Sequence, residues 1–423
     1  MDASADGALA DGALDASAAD ASAADASVAD ASSADASAPD AMPDAAPDAM
    51  PDAHPDAHPD AAPDAMPTTC IAQIFGDYIV LTDGRLQHYG GQIVMNAATA
   101  APLDNIAEVV DQQWASCARR TDSSVWCWAK AAGVGLSGAL GNGDAAGSAT
   151  TAYAATPVQL AGGGTLGDAL ALQRGGQGFY PVPMCAIRAD HTLWCWGAKT
   201  DGNLMQTGHD EGYPVQIKAT PSTALTSVTQ VSVAYREACV LAGGVVSCWG
   251  ANIRGGLAQG DTTARLYPTP ILNPPAGVTA IAAGQDGNYA LAADHRVYAW
   301  GASGALGEGT ATNQWTICNA NYCQQTPTAV MTSAGVPLDD VSALVSEYLA
   351  ACAVRGDGTV WCWGLGTGSN GYAQPLVFGG APVAGVLGLA SFATSGYDGT
   401  YYIKANHHYL RGSYDATVAV CGM

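Results

Sequence analysis

Long apolar runs are absent from this chain. No stretch of 18 or more apolar residues occurs, which excludes a membrane-spanning helix. Charge is sparse, at 13% of 423 residues, and cations are the scarcer kind: fifteen Lys plus Arg against 38 Asp plus Glu, with none of the fifteen before residue 70. A nucleic-acid partner needs a basic stripe that displaces counterions from phosphates, so nucleic acid is excluded as a partner.

Strings that announce chemistry are missing too. There is no Gly-x-Ser-x-Gly elbow, no His-Glu-x-x-His helix and no pair of Cys-x-x-Cys knuckles, so neither a nucleophile elbow, a zincin nor a structural zinc site is expected. Gly133-Val-Gly135-Leu-Ser-Gly138 matches a dinucleotide fingerprint only in letters, because no helix pattern follows it. The histidines outside the first 69 residues (His88, His191, His209, His295, His407, His408) sit mostly in or beside hairpin turns. They read as solvated or packed side chains. No catalytic residue, metal or cofactor is expected.

Residues 1–69 form a separate region. Asp recurs every five residues from Asp15 to Asp40 and every four from there to Asp64, mostly as Pro-Asp-Ala. Evenly spaced like charge with almost no large apolar side chain cannot bury a core, so the segment is expected to be a disordered acidic tail, partly polyproline II. It carries fifteen of the net −23 charges, which leaves −8 for residues 70–423. His54 and His58 stand among these Asp residues, without a fold to converge them on a metal.

Beyond residue 70 the composition points to an all-β protein. The chain is 48% hydrophobic with 51 Gly and 22 Pro, a large core interrupted by many turns. One hairpin pattern recurs, of the form Cys-x-x-x-x-Asp-Gly-x-Val-Trp-Cys-Trp-Gly. It begins at Tyr78, Cys117, Cys185, Cys239, Ala290, Cys352 and, in a degenerate last copy, Tyr401. Seven copies over residues 70–423 give about 50 residues each, the length of a four-stranded propeller blade. Gly243-Gly244 fits a two-residue primed turn, and Gly356-Asp357-Gly358 a three-residue loop ending in a bulge glycine.

Twelve cysteines follow the same pattern. Hairpin register sets Cys117 opposite Cys127, Cys185 opposite Cys195, Cys239 opposite Cys248 and Cys352 opposite Cys362, where side chains come within disulfide reach. The first copy has Tyr78 and His88 at these places, and the fifth is read with Ala290 and Ala299 there. Both partners are present or both are absent, as expected of bonded pairs and not of independent thiols. Cys318 and Cys323 share one loop, and Cys70 with Cys421 would clasp the two ends of the array. Six bridges require an oxidising compartment. The start, Met1-Asp-Ala-Ser-Ala-Asp, has no basic and apolar leader, so the export signal is expected upstream or already removed.

These hairpins, the Gly-x-Leu-Gly-like segments after them (Gly138–Gly141, Gly304–Gly307, Gly256-Leu-Ala-Gln) and the Pro-Val closings (Pro157-Val158, Pro214-Val215) resemble the regulator-of-chromosome-condensation repeat family. The resemblance implies a seven-bladed β-propeller over residues 70–423 and a non-enzymatic binding scaffold, since nuclear members engage a small GTPase and chromatin. A bacterial β-lactamase inhibitor protein is similar to this propeller type, so inhibition of a secreted enzyme is an alternative use. A carbohydrate-binding or carbohydrate-active propeller is the alternative of another class. The tail resembles the Asp-Ala-rich linkers of bacterial surface lipoproteins, which implies a lipid anchor upstream and an extracytoplasmic location.

Candidate contact residues lie in the loops just before each hairpin: Trp114, Phe179 and Tyr180, Tyr235 and Arg236, Glu347 and Tyr348, and Tyr397. Equivalent loops of successive blades fall on one propeller face. An aromatic-rich ring there suits a protein partner or a cell-surface glycan, bound by a monomer.

Overall fold

The computed structural model describes residues 71–411, apart from internal segments of which the longest are 175–182, 199–209, 310–315, 365–370 and 390–401. All described residues belong to the second of two units, Ala65–Met423. No helix occurs among them, and seven sheets of three to five strands, antiparallel but for one short edge strand, follow one another along the chain, with three small two-stranded hairpins between them.

Each sheet repeats one plan: an inner strand, the two strands of the recurring hairpin, then an outer strand. In the second sheet these are Ile106–Asp111, Ala115–Arg120, Val125–Ala129 and Ala154–Pro157. The third, fourth and sixth sheets have inner strands Ala169–Arg174, Val228–Val233 and Val341–Glu347 and are four-stranded. Among the described residues the remaining sheets depart from the expected four strands. The first, Ile71–Phe75 with Tyr78–Leu81 and Leu86–His88, stops at three strands, because the next strand, Met95–Asn96, pairs in parallel with the outer edge of the second sheet. The fifth, from inner strand Ala280–Ala283, gains a fifth strand, Thr316–Cys318. The seventh has Val386–Leu389, Tyr402–Ala405 and His408–Arg411.

Inner strands of successive sheets touch in series from the first to the seventh, the arrangement of a β-propeller. Six of the seven carry one extra residue at the same place, namely Ala72, Ala107, Leu170, Thr229, Ser342 and Leu387. Such bulges raise local twist, which suits strands that pack sheet against sheet around an axis.

The core is divided in the same way. Six apolar clusters occupy the six junctions between successive sheets. Five contain the Trp near the end of the third strand of the following sheet, Trp128, Trp196, Trp249, Trp300 or Trp363, each fully buried. Trp196 Nε1 donates to Ala139 O (3.0 Å) and Trp300 Nε1 to Gly256 O (2.8 Å). Hence the Gly-x-Leu-Gly-like segments: they form the floor under the next sheet's indole. Gly307 has φ 70°, and a Cβ there would meet Trp363 at 2.7 Å.

Backbone bonds join the sheets at the hairpin turns. Ser123, His191, His295 and Gly358 occupy the left-handed turn position, with φ between 59° and 77°. Their carbonyls accept from Ala169, Val228, Val341 and Val386, the first residues of the next inner strands, at 2.9–3.1 Å. His191 and His295 also bring Nδ1 to 3.2 Å from the carbonyl oxygens of the same Val228 and Val341. They are turn residues packed on the neighbouring sheet.

Among the described residues there are five cystines: Cys117–Cys127, Cys185–Cys195, Cys239–Cys248, Cys352–Cys362 and Cys318–Cys323. The first four lie directly opposite each other across the hairpin, with Cα atoms 4.0–4.1 Å apart. Cys70 and Cys421 lie outside the described residues. The fifth hairpin requires a correction by one residue. Ala299 faces Tyr289, whereas Ala290 faces Tyr298, so a tyrosine stands at the cystine position, as Tyr78 does in the first sheet opposite His88.

Candidate partner-binding face

The two ends of the sheets differ in chemistry. At the hairpin-turn end a single device repeats. Asp122 accepts from Ser124 N–H and Oγ–H, and Trp126 Nε1 donates to the same Oγ at 3.1 Å. Asp190, Thr192 and Trp194 do likewise, as do Asp357, Thr359 and Trp361. Hydrogen bonds from these hydroxyls and N–H groups hold the three carboxyls below their usual range. Arg188 lies over the Trp194 ring at 5.0 Å and donates to Asp168, and Arg355 lies over Trp361 at 5.9 Å and donates to Asp339. This end is occupied with holding its own turns.

The opposite end carries the segments that link inner and second strands. In the second, fourth and fifth sheets that link is a tight turn closed by one backbone bond: Gln112 N–H to Ala115 O, Ala234 N–H to Glu237 O and Gly284 N–H to Gly287 O, at 2.7–2.9 Å. Trp114 and Arg236 occupy the same turn position. Their carbonyls accept from Lys130 and Ala251, the residues just after the third strand, at 3.0 and 2.9 Å. The carbonyl at this turn position is thereby bonded within the repeat.

Trp114 is 39% exposed, an unusual state for the largest apolar side chain. Arg236 is half-buried. Glu347 ends the sixth inner strand opposite Ala350, the same topological place. Phe179, Tyr180, Tyr235, Tyr348 and Tyr397 lie outside the described residues.

Tyr322 was missed by reasoning on hairpin-preceding loops. It is 45% exposed beside Cys323, which pairs with Ala302 at the end of the third strand of the fifth sheet, and so belongs to the same end as Trp114. A signal existed: Tyr322 adjoins one cysteine of the only close pair that does not span a recurring hairpin.

Under Trp114 lies a polar network between the first and second sheets. Asp111, 5% exposed, pairs with Lys130 Nζ at 2.6 Å and accepts from Ser116 Oγ at 2.5 Å. Ser116 Oγ and Tyr78 Oη lie 3.0 Å apart, and Trp128 Nε1 donates to the same Tyr78 Oη at 3.0 Å. Burial, and next the Asp111 charge, push the Tyr78 hydroxyl well above its ordinary range. Gln112 Nε2 donates to Pro183 O at 3.3 Å, so the Trp114 turn is braced toward the third sheet as well.

No protein-family model matches the chain. Solved structures that it is similar to include the following three. Human WBSCR16 is 17% identical with a TM-score of 0.49, over 66% of this chain and 68% of that one. Prp20p from Saccharomyces cerevisiae, described with its binding properties to Gsp1p and histones, is 13% identical with a TM-score of 0.40, over 68% and 81%. The CRINKLY WD40 ectodomain of the Arabidopsis thaliana receptor kinase ACR4 is 16% identical with a TM-score of 0.32, over 72% and 93%. Among the described residues no group of three or more His, Cys, Asp or Glu is placed to hold a metal ion.

Proposed function

We propose that this chain is an extracytoplasmic, non-enzymatic binding scaffold, a closed ring of seven blades that grips a protein or cell-surface partner through the face carrying Trp114. The observation that carries this reading is the exposed Trp114 indole on a turn closed by the Gln112–Ala115 bond, with the Trp114 carbonyl bonded to Lys130 and the base braced on two sides. Large aromatic side chains presented on rigid elements lose little conformational freedom on binding and dominate contact energetics. Tyr322 at the same end and the half-buried Arg236 add residue types enriched at such contacts.

Five cystines support an oxidising location, because a reducing cytoplasm does not maintain them. In this reading Cys70 and Cys421 form a sixth bond that clasps the ring. Mass spectrometry of the unreduced full chain counts thiols: none is expected, and more than two would overturn the framework.

The face itself is tested by presenting the oxidised full chain to a surface-protein extract and to a glycan array. Binding found in either is then measured again for Trp114→Ala and Tyr322→Ala. Affinity should fall at least tenfold, about 1.4 kcal/mol, with melting unchanged. Unchanged affinity in both variants sinks the assignment of this face, and turnover of a glycan abolished by one carboxylate substitution sinks the non-enzymatic reading.

A further inference from the structure

We infer that the Trp114 turn responds to protons, with His88 as the sensing residue and the Tyr78–Ser116–Asp111–Lys130 network as the link between them. The inference builds on the reading of Trp114 as part of the contact face and adds a mode of regulation to it.

Comparison among the repeats shows how this junction departs from the pattern. The places of Tyr78 and His88 are held by cystine in four other hairpins. The residue that pairs with the buried Trp is Met184, Ala238 or Ala351 in the third, fourth and sixth sheets, whereas it is Ser116 in the second and Asn288 in the fifth. Asp111 and Ser116 also face each other at the base of the Trp114 turn. The polar departures of the first two sheets therefore converge under Trp114.

His88 stands at the edge of this network. Its ring is 5.2 Å from that of Tyr78, edge-on, and 5.6 Å from that of Tyr153. Its Nδ1 accepts from Gly90 N–H at 3.2 Å, which assigns the neutral ring with the proton on Nε2. The groups facing it are Asp77 and Tyr78 in the first sheet, Gln92 after it, and Asp111, Lys130 and Tyr153 from the second sheet and its connection. Burial is the largest influence and holds the imidazole below its ordinary range. Lys130 acts in the same sense, while Asp77, Asp111 and Gln92 oppose.

Protonation changes two contacts at once. A proton on Nδ1 ends its acceptor role toward Gly90, and the new cation competes with Lys130 for Asp111. Lys130 bonds the Trp114 carbonyl through its own N–H, so a shift of Lys130 relative to Asp111 moves the turn that presents the indole. His88 is thus a positioning residue and touches no partner itself.

The test needs no partner. The oxidised full chain is labelled with 5-fluorotryptophan, and the Trp114 fluorine resonance is assigned with Trp114→Phe. Between pH 7.5 and 5 that resonance is expected to shift with a midpoint below about 6.5, the value for a free imidazole. The nitrogen shifts of His88 in unsubstituted protein should titrate with the same midpoint, which keeps the test open if a variant folds poorly. In His88→Gln the Trp114 shift should disappear, while His191→Gln should leave it intact. A flat Trp114 resonance, a midpoint that differs from that of His88, or an undiminished shift in His88→Gln overturns the inference. Failure of the contact-face reading is separate: it appears as partner binding that survives Trp114→Ala while the proton response persists.

Discussion

Four hairpins close on a cystine and two on a tyrosine, and the contrast shows what the cystines do besides cross-linking. Each cystine of the second, third and fourth sheets lies in the apolar cluster that also receives the next sheet's Trp. Tyr78 and Tyr289 fill the same space at their own junctions. Tyr78 meets Trp128 edge-on at 5.3 Å, and Tyr289 meets Trp363 edge-on at 5.7 Å. A junction therefore needs volume under the indole, and two sulfur atoms or one phenol ring supply it. The cystine adds a covalent constraint on its own hairpin; the tyrosine adds edge-to-face attraction to the neighbouring sheet.

The comparison is broken most severely by removing the ring. Tyr289→Ala should destabilise by about 3–5 kcal/mol, the range for emptying a large aromatic site in a packed core, measured by urea unfolding of oxidised protein. Next comes the cystine. Cys352→Ala with Cys362→Ala should lose about 2–4 kcal/mol, and a loss equal to or above that of Tyr289→Ala would mean that the bond, not the volume, governs the junction.

A transplant sharpens the point. Tyr289→Cys combined with Ala299→Cys should oxidise on folding, because these residues face each other as the natural pairs do. The product should be lighter by two hydrogens than its reduced form and should recover roughly 2 kcal/mol relative to Tyr289→Ala.

Smaller effects are expected at the turn end. Thr192→Val strips both Asp190 and Trp194 of a partner and should cost about 1–1.5 kcal/mol, while the cystine of that hairpin remains formed.

Acid separates the two hairpin types by pH window. His88 is held below its ordinary range, so the unfolded chain takes up its proton first. Stability falls as pH drops below about 6.5 and stops falling on this account once the folded imidazole is protonated too. Asp122, Asp190 and Asp357 are held low, so their contribution is present above about pH 4 and is lost as pH falls through their folded values. Melting curves from pH 8 to 2 should show two steps, with His88→Gln removing the upper one.

Much of this was legible beforehand because the evidence was local. A cysteine nine or ten residues from its partner across a tight turn is placed by turn length and strand alternation alone, and all four cross-hairpin pairs lie where that register puts them. The fifth hairpin misled by one residue, since without a cysteine the alignment of Ala-Leu-Ala-Ala-Asp had no fixed point. The turn position of Trp114 was readable; its exposure was not, because the same indole could equally have folded down onto its own sheet. The polar network was invisible as well. Tyr78, His88, Asp111, Ser116 and Lys130 span two hairpins, and no pairwise spacing links them.

The sequence by itself determined the all-β class, the repeat, and the registers and oxidised pairs of the four cystine hairpins, because each depends on residues within about a dozen positions along the chain. Only the tertiary structure decided which side chain lies beneath which indole, that tyrosine can stand in for cystine, and that the junction under Trp114 is wired with polar groups. Those are contacts between neighbouring sheets, set by packing across residues roughly fifty apart, where volume and hydrogen-bond partners are matched in space and leave no periodic mark in the chain.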